Sequence, residues 1–183
     1  MSGSEPESIG IYLDCEFTDL TNDADLLSIG FAAESGETLY IEITDWDVAH
    51  CVPSEFVVEV VLPLFGRHDP ERLTRDEAAA RIDEWIAELR QRHGDRIVFM
   101  MSDSALDWQF LIELWVPMPG RETWASKNRI KGMLIQMMTQ SWEAALVFDL
   151  VEKYHELHQE RHHALVDAMA LRWAMVEIMQ IRP

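Results

Sequence analysis

"IYLDCEF", residues Ile11–Phe17, sets two carboxylates, Asp14 and Glu16, into an otherwise apolar stretch. The pattern predicts a β-strand, and a strand turns alternate side chains to the same face. Asp14 and Glu16 therefore point one way, with Leu13, Cys15 and Phe17 on the other side. Like charges held side by side repel, and an ionised group in apolar surroundings is costly unless it is paired. The pair calls for a positive counterpart.

Two further acids sit in comparable surroundings. Asp107 lies in "SDSALDWQFL", just after the apolar run "RIVFMM" and in the first turn of a predicted helix. Asp167 lies in "HHALVDAMALRWA", near the start of another. A helix N-terminus partly compensates a negative charge at such a position. Hard oxygen donors without an accompanying set of thiolates suit Mg²⁺ or Mn²⁺ better than Zn²⁺. Singly, each acid has an ordinary reading: a solvent-facing strand edge, a capping residue three positions after Ser104, a first-turn acid.

The 183 residues are most simply one domain, residues 9–183, behind a polar and acidic lead, residues 1–8, expected to be disordered. A hydrophobic share of 48% and a charged share of 26% describe a globular chain with a sizeable core. No apolar run approaches the length of a membrane span, so no membrane association is expected. Two cysteines, Cys15 and Cys51, are too few for a disulfide framework and fit a reducing cytoplasm. The net charge of −18 argues against broad, non-specific adhesion to nucleic acid, which depends on a basic footprint. It leaves room for a local site where cations supply the positive charge.

"SIGIYLDCEF", "DLLSIGFAAE" and "ETLYIEITDW" read as three strands, the last two joined by the turn "ESGE", and together as an antiparallel meander. "LTRDEAAARIDEWIAELRQRHG" predicts a helix with a Thr74–Glu77 capping box, a stripe of Ala78, Ile82, Trp85, Ile86 and Leu89, and Gly94 at its end. A short strand "DRIVFMM" and three helices follow. The order predicts an α/β fold with a mixed five-stranded sheet flanked by helices.

"LDCEFTD" followed by "LLSIGFAA", "ALDWQFL" and "HHALVDA" resembles the DEDD superfamily of 3′-to-5′ exonucleases, His-type and DnaQ-like, on a ribonuclease H-like fold. Small stand-alone bacterial exoribonucleases are the most similar members. The resemblance runs from about Ile9 to Trp173 and implies four acids, Asp14, Glu16, Asp107 and Asp167, holding two Mg²⁺ or Mn²⁺ ions. It also implies a catalytic histidine near the last acid. His162, five residues before Asp167 with Ala164 in the small position, fits the His-type pattern; His163 stands where a second subfamily has tyrosine. Residues five apart on a helix point about 140° away from each other, so His162 must lie in the loop before the helix. The implied reaction is hydrolysis of RNA or short single-stranded oligonucleotides from the 3′ end to nucleoside 5′-monophosphates.

Substrate contacts are expected from Phe17, Thr18 and Trp108, and from the basic segment "RETWASKNRIKG". There Arg121, Lys127, Arg129 and Lys131 could hold the phosphate backbone and Trp124 could stack on a base. The same segment also reads as a solvated loop. His155, His158 and His162 have a spacing open to a Zn²⁺ site, and Asp103 reads as no more than an outer neighbour of the four acids. Surplus Trp and Met would suit a homodimer interface. Two alternatives stay open: a DNA exonuclease in repair or proofreading, and a non-catalytic acidic binding module on the same fold.

Overall fold

The computed structural model describes residues 8–21, 23–94, 97–115, 130–134 and 142–181. The meander forms as expected: β1 (Ser8–Phe17), β2 (Leu26–Ala33) and β3 (Thr38–Ile43) pair antiparallel. Gly36, at φ 105°, closes the β2–β3 turn in a conformation that disfavours a side chain. A helical segment, Val57–Leu64, comes next and was not expected from sequence. Then follow β4 (Glu71–Leu73), α1 (Arg75–His93), β5 (Ile97–Ser102), α2 (Ala105–Trp115), β6 (Ile130–Leu134), α3 (Trp142–His158) and α4 (Ala164–Ile181).

The sheet order is β4-β3-β2-β1-β5-β6, with β5 parallel to β1, β6 parallel to β5 and β4 parallel to β3. The mixed α/β architecture matches the expectation, with six strands where five were expected. Four fall on stretches read as strands; β4, three residues at the edge and too short to stand out as a periodic pattern, and β6 do not. β6 falls across the end of the basic segment, the remainder of which lies outside the described residues.

Side-chain alternation divides the core. Ile11, Leu13 and Cys15 of β1 face α1 and α2, packing with Ile82, Trp85, Ile86, Leu89, Phe110 and Leu111. Tyr12 faces the other way, against Val147 of α3 and Leu171, Ala174, Met175 and Ile178 of α4. Asp14 and Glu16 continue the Tyr12 side. The Thr74–Glu77 capping box forms, and all five predicted stripe residues of α1 are buried.

Two features set where the acids meet. β1 pairs with β5 only through Ser8–Tyr12, so beyond Tyr12 the parallel strands part and open a crevice at their carboxyl ends. Opposite Asp14 on β2 stands Gly30. A Cβ on Gly30 would lie less than 3.0 Å from the backbone of Ala164 and Leu165. The missing side chain lets the first turn of α4 rest on the sheet and brings Asp167 over β1. Gly30→Ala should therefore displace α4 and cost on the order of 1–3 kcal/mol by overpacking. A Tm unchanged from wild type would show that α4 does not need this contact.

Candidate active site

The crevice holds a cleft of about 530 Å³ lined by Asp14, Glu16, Asp107, His162 and Asp167, all five residues singled out in the sequence. Ligand-type oxygens of Asp14, Glu16 and Asp167 lie within 4.8 Å of one another, as do those of Asp14, Asp103 and Asp107.

Each acid is placed by its element. Asp14 and Glu16 ride on β1 just past its last pairing with β5. Ser104 caps α2, its hydroxyl accepting the Leu106 amide at 3.1 Å, and so starts the helix three residues before Asp107. Because β1 has left β5, the Cys15 amide is free to donate to Asp107 Oδ1 at 3.3 Å. Asp107 is 1% exposed and its Oδ2 has no hydrogen-bond partner among the described residues. Asp107 thus serves both expected readings, first-turn acid and cleft acid.

His162 sits in the loop before α4, as the spacing required, at φ 59°. Its ring meets Phe56 edge-on at 4.9 Å. Burial lowers its pKa, helped by the neighbouring Arg161 and His155. His163 is 2% exposed, does not line the cleft, and packs against Tyr40 and His68 with ring centroids 4.5 and 4.8 Å away. Burial pushes it down to about 4.

The Zn²⁺ reading does not hold among the described residues. α3 ends at His158, which stacks on Tyr154 at 4.1 Å, and the three histidines do not converge. His155 is instead buried between two oxygens: Nδ1 is 2.7 Å from the Glu160 carbonyl and Nε2 3.2 Å from Asp167 Oδ1. A carbonyl only accepts, so Nδ1 carries a proton. The contact with Asp167 is then attractive only when the ring or the carboxyl holds a second one.

Two expected substrate residues are not among those that line the cleft. Thr18 is buried and its hydroxyl accepts the Asp25 amide at 2.9 Å. Trp108 packs against the core of α1, α2 and the sheet. Phe17 does line the cleft, stacked on Phe110 at 5.1 Å. Arg121, Trp124, Lys127 and Arg129 lie outside the described residues, as does the Lys131 side chain in β6.

The rest of the cleft wall was not read from sequence: Leu20, 79% exposed, and Phe56, 50% exposed, with Ser54, Val57 and Val61. The only available signal was the apolar run "FVVEVVLPLF". This wall hangs on Asp25, whose carboxylate takes the amides of Leu26 and Asp47 at 3.0 and 2.6 Å and pairs with Arg75. The Ser54 amide donates to the Thr18 carbonyl at 2.9 Å and ties the two loops together.

No family model matches the sequence, and no curated protein does. Solved structures do. One is a 3′-exonuclease in a study of 3′-end specific recognition of the histone mRNA stem-loop, at TM-score 0.62 and 10% identity, over 97% of this chain and 84% of that one. The α/β fold is the ribonuclease H-like fold of that exonuclease. No described helix is long and apolar enough to cross a membrane.

Crowding and burial raise the acids' pKa values. Asp14 and Asp107 stand well above the usual carboxylate range, from burial first and then from neighbouring acids. Burial, with Asp167 and Asp107, takes Glu16 to about 8; burial and Asp103 take Asp167 to about 7. In the cation-free protein these groups keep protons that the unfolded chain has released. Their stabilisation is complete below the ordinary carboxylate range and is lost as pH climbs through about 7 to 8. His163, lowered from 6.5 to about 4, acts oppositely but has finished by pH 6.5. In EDTA, the Tm should therefore fall between about pH 6.5 and 8, and fall less steeply in Glu16→Gln. A melt series with equal slopes in both proteins would refute the assignment of the effect to this cluster.

Proposed function

We propose that this chain is a metal-dependent 3′-to-5′ exonuclease acting on RNA or short single-stranded oligonucleotides and releasing nucleoside 5′-monophosphates. The observation that carries the reading is the convergence of Asp14, Glu16, Asp107, Asp167 and His162 on one cleft. The similarity in fold to a 3′-exonuclease that recognises an mRNA 3′ end supports it.

The residues fit a pair of Mg²⁺ or Mn²⁺ ions. Asp107 Oδ2 is a buried carboxylate oxygen without a partner, and the donors are hard oxygens in two groups within 4.8 Å, Asp14 with Glu16 and Asp167, and Asp14 with Asp107 and its neighbour Asp103. No described Lys or Arg pairs with Asp14, Glu16 or Asp107. Asp14, Glu16, Asp107 and Asp167 would be the ligands. Such cations, when bound, lower the pKa of water and neutralise charge on the scissile phosphate and its departing 3′ oxygen.

His162, kept neutral near pH 7, offers a ring nitrogen to take the proton of the attacking water. As the water oxygen bonds to phosphorus, the bond from phosphorus to the 3′ oxygen breaks. Phe56 against the imidazole limits its rotation. Phe17, Leu20 and Phe56 give the terminal base an apolar wall to stack on, worth roughly 1–3 kcal/mol per base in single-strand binders. The segment with Arg121, Lys127, Arg129, Lys131 and Trp124 would hold the backbone further along. The −18 charge disfavours long duplexes, whose phosphates demand many basic contacts.

The test is a 5′-labelled RNA oligonucleotide and its DNA counterpart with Mn²⁺ or Mg²⁺. The expected result is a one-nucleotide ladder from the 3′ end, stronger on RNA and abolished by EDTA or Asp14→Asn. His162→Ala should slow it about 10²–10⁴-fold, the usual worth of a general base. A stronger ladder on DNA would replace the substrate class. A folded, cation-loaded protein that cuts neither would overturn the enzymatic reading in favour of an acidic binding module.

A further inference from the structure

Asp103 lies between the end of β5 at Ser102 and the start of α2 at Ala105. Its carboxyl lines a second cleft, of about 350 Å³, with Asp14, His155, Arg161, His162 and Asp167. The two clefts share Asp14, His162 and Asp167, so the acids stand between them. The ligand atoms form two triads with one common member: Asp14, Glu16 and Asp167 on one side, Asp14, Asp103 and Asp107 on the other. No described Lys or Arg forms an ion pair with Asp103. In the second triad Asp107, 1% exposed, leaves Oδ2 unpartnered. A buried carboxylate oxygen facing two further carboxylates calls for a proton or a cation among them, and a divalent cation can serve all three at once.

We propose that Asp103 is a fifth metal-ligating carboxylate, so that two three-carboxylate cradles sharing Asp14 each hold a divalent cation before any substrate arrives. The proposal rests on the metal reading above and goes beyond it in two ways. It gives the Asp107-side cation a complete set of protein ligands, and it makes that cation's affinity a property of the chain alone. A ligand from the β5–α2 turn also ties the cation to the same helix cap that positions Asp107.

The test uses the full metal-free chain and Mn²⁺ as the only probe, read by calorimetric titration and by electron paramagnetic resonance. Wild type should take up two Mn²⁺ per chain and show a spin-coupled pair. Asp103→Asn should keep one, with the isolated-ion spectrum; Asp14→Asn should weaken both. Loss of a mere brace costs on the order of 10–100-fold in affinity and leaves two ions bound at saturation, so the missing pair signal separates a ligand from a support. Thermal melts give a second reading. Removing one of several crowded charges should leave the metal-free Tm equal or higher, while the Mn²⁺-induced rise in Tm shrinks. A lower metal-free Tm with an undiminished Mn²⁺ response would mean a structural role and overturn the proposal. Two coupled ions in both Asp103→Asn and Asp103→Ser would overturn it while leaving the metal reading intact. No Mn²⁺ uptake by wild type would overturn both.

Discussion

Mutual repulsion among carboxylates is the constraint on which the rest of this structure depends. Asp14, Glu16, Asp103, Asp107 and Asp167 come from four separate places in the chain and meet where β1 and β5 separate. Nothing in that meeting is favourable to the metal-free protein. It is imposed by surroundings that are favourable: the apolar faces of β1, the capped start of α2, and the tight seat of α4 on Gly30. Backbone amides soften the crowding locally. Cys15 and Ser104 favour the charged form of Asp107, and His162 and His163 do the same for Asp167. The fold thus stores electrostatic strain at one point, a common feature of sites built for cations or chemistry.

The strain is bordered by two unlike walls. On one side Phe17, Leu20, Phe56, Val57 and Val61 present an apolar surface. On the other, Asp103, Glu152, His155 and Arg161 stand beside Phe148, Val151 and Leu171 in a more polar, mixed one. The apolar wall is carried by the end of β1, the loop after it and the helical segment Val57–Leu64. Asp25 gathers the amides of Leu26 and Asp47 and an arginine from α1 close by. The polar side is braced by Glu160, which accepts from Arg67 Nη1 at 3.1 Å and contacts His68 Nε2 at 2.8 Å, two residues before His162.

Much of this was legible in the residues. Alternation in "IYLDCEF" put Asp14 and Glu16 on one face because a strand has a period of two, and the Tyr12 side of β1 bears that out. The Thr74–Glu77 box and the stripe from Ala78 to Leu89 were readable because capping and helical periodicity are local. The resemblance favoured His162 over His163 and the helical angle then required a loop there; His162 does precede α4, at φ 59°. Other features lacked a local signal. Thr18 and Trp108 flank cleft residues in sequence, yet one hydroxyl is taken by a loop amide and the other side chain belongs to the core. β4 is too short to carry a periodic signal, and Val57–Leu64 owes its helical form to the cluster of Leu27, Val57 and Val61.

By itself the sequence determined most of the elements and their faces, because these follow from backbone geometry within a few residues, and its resemblance to a known family named four of the converging acids. Only the tertiary structure decided distances between elements. It set Asp103 into a triad with Asp14 and Asp107, turned His155 inward onto Asp167, and raised a wall of Leu20 and Phe56 opposite His162. Those contacts join residues tens of positions apart, and their energies depend on burial and on neighbours that no local pattern encodes.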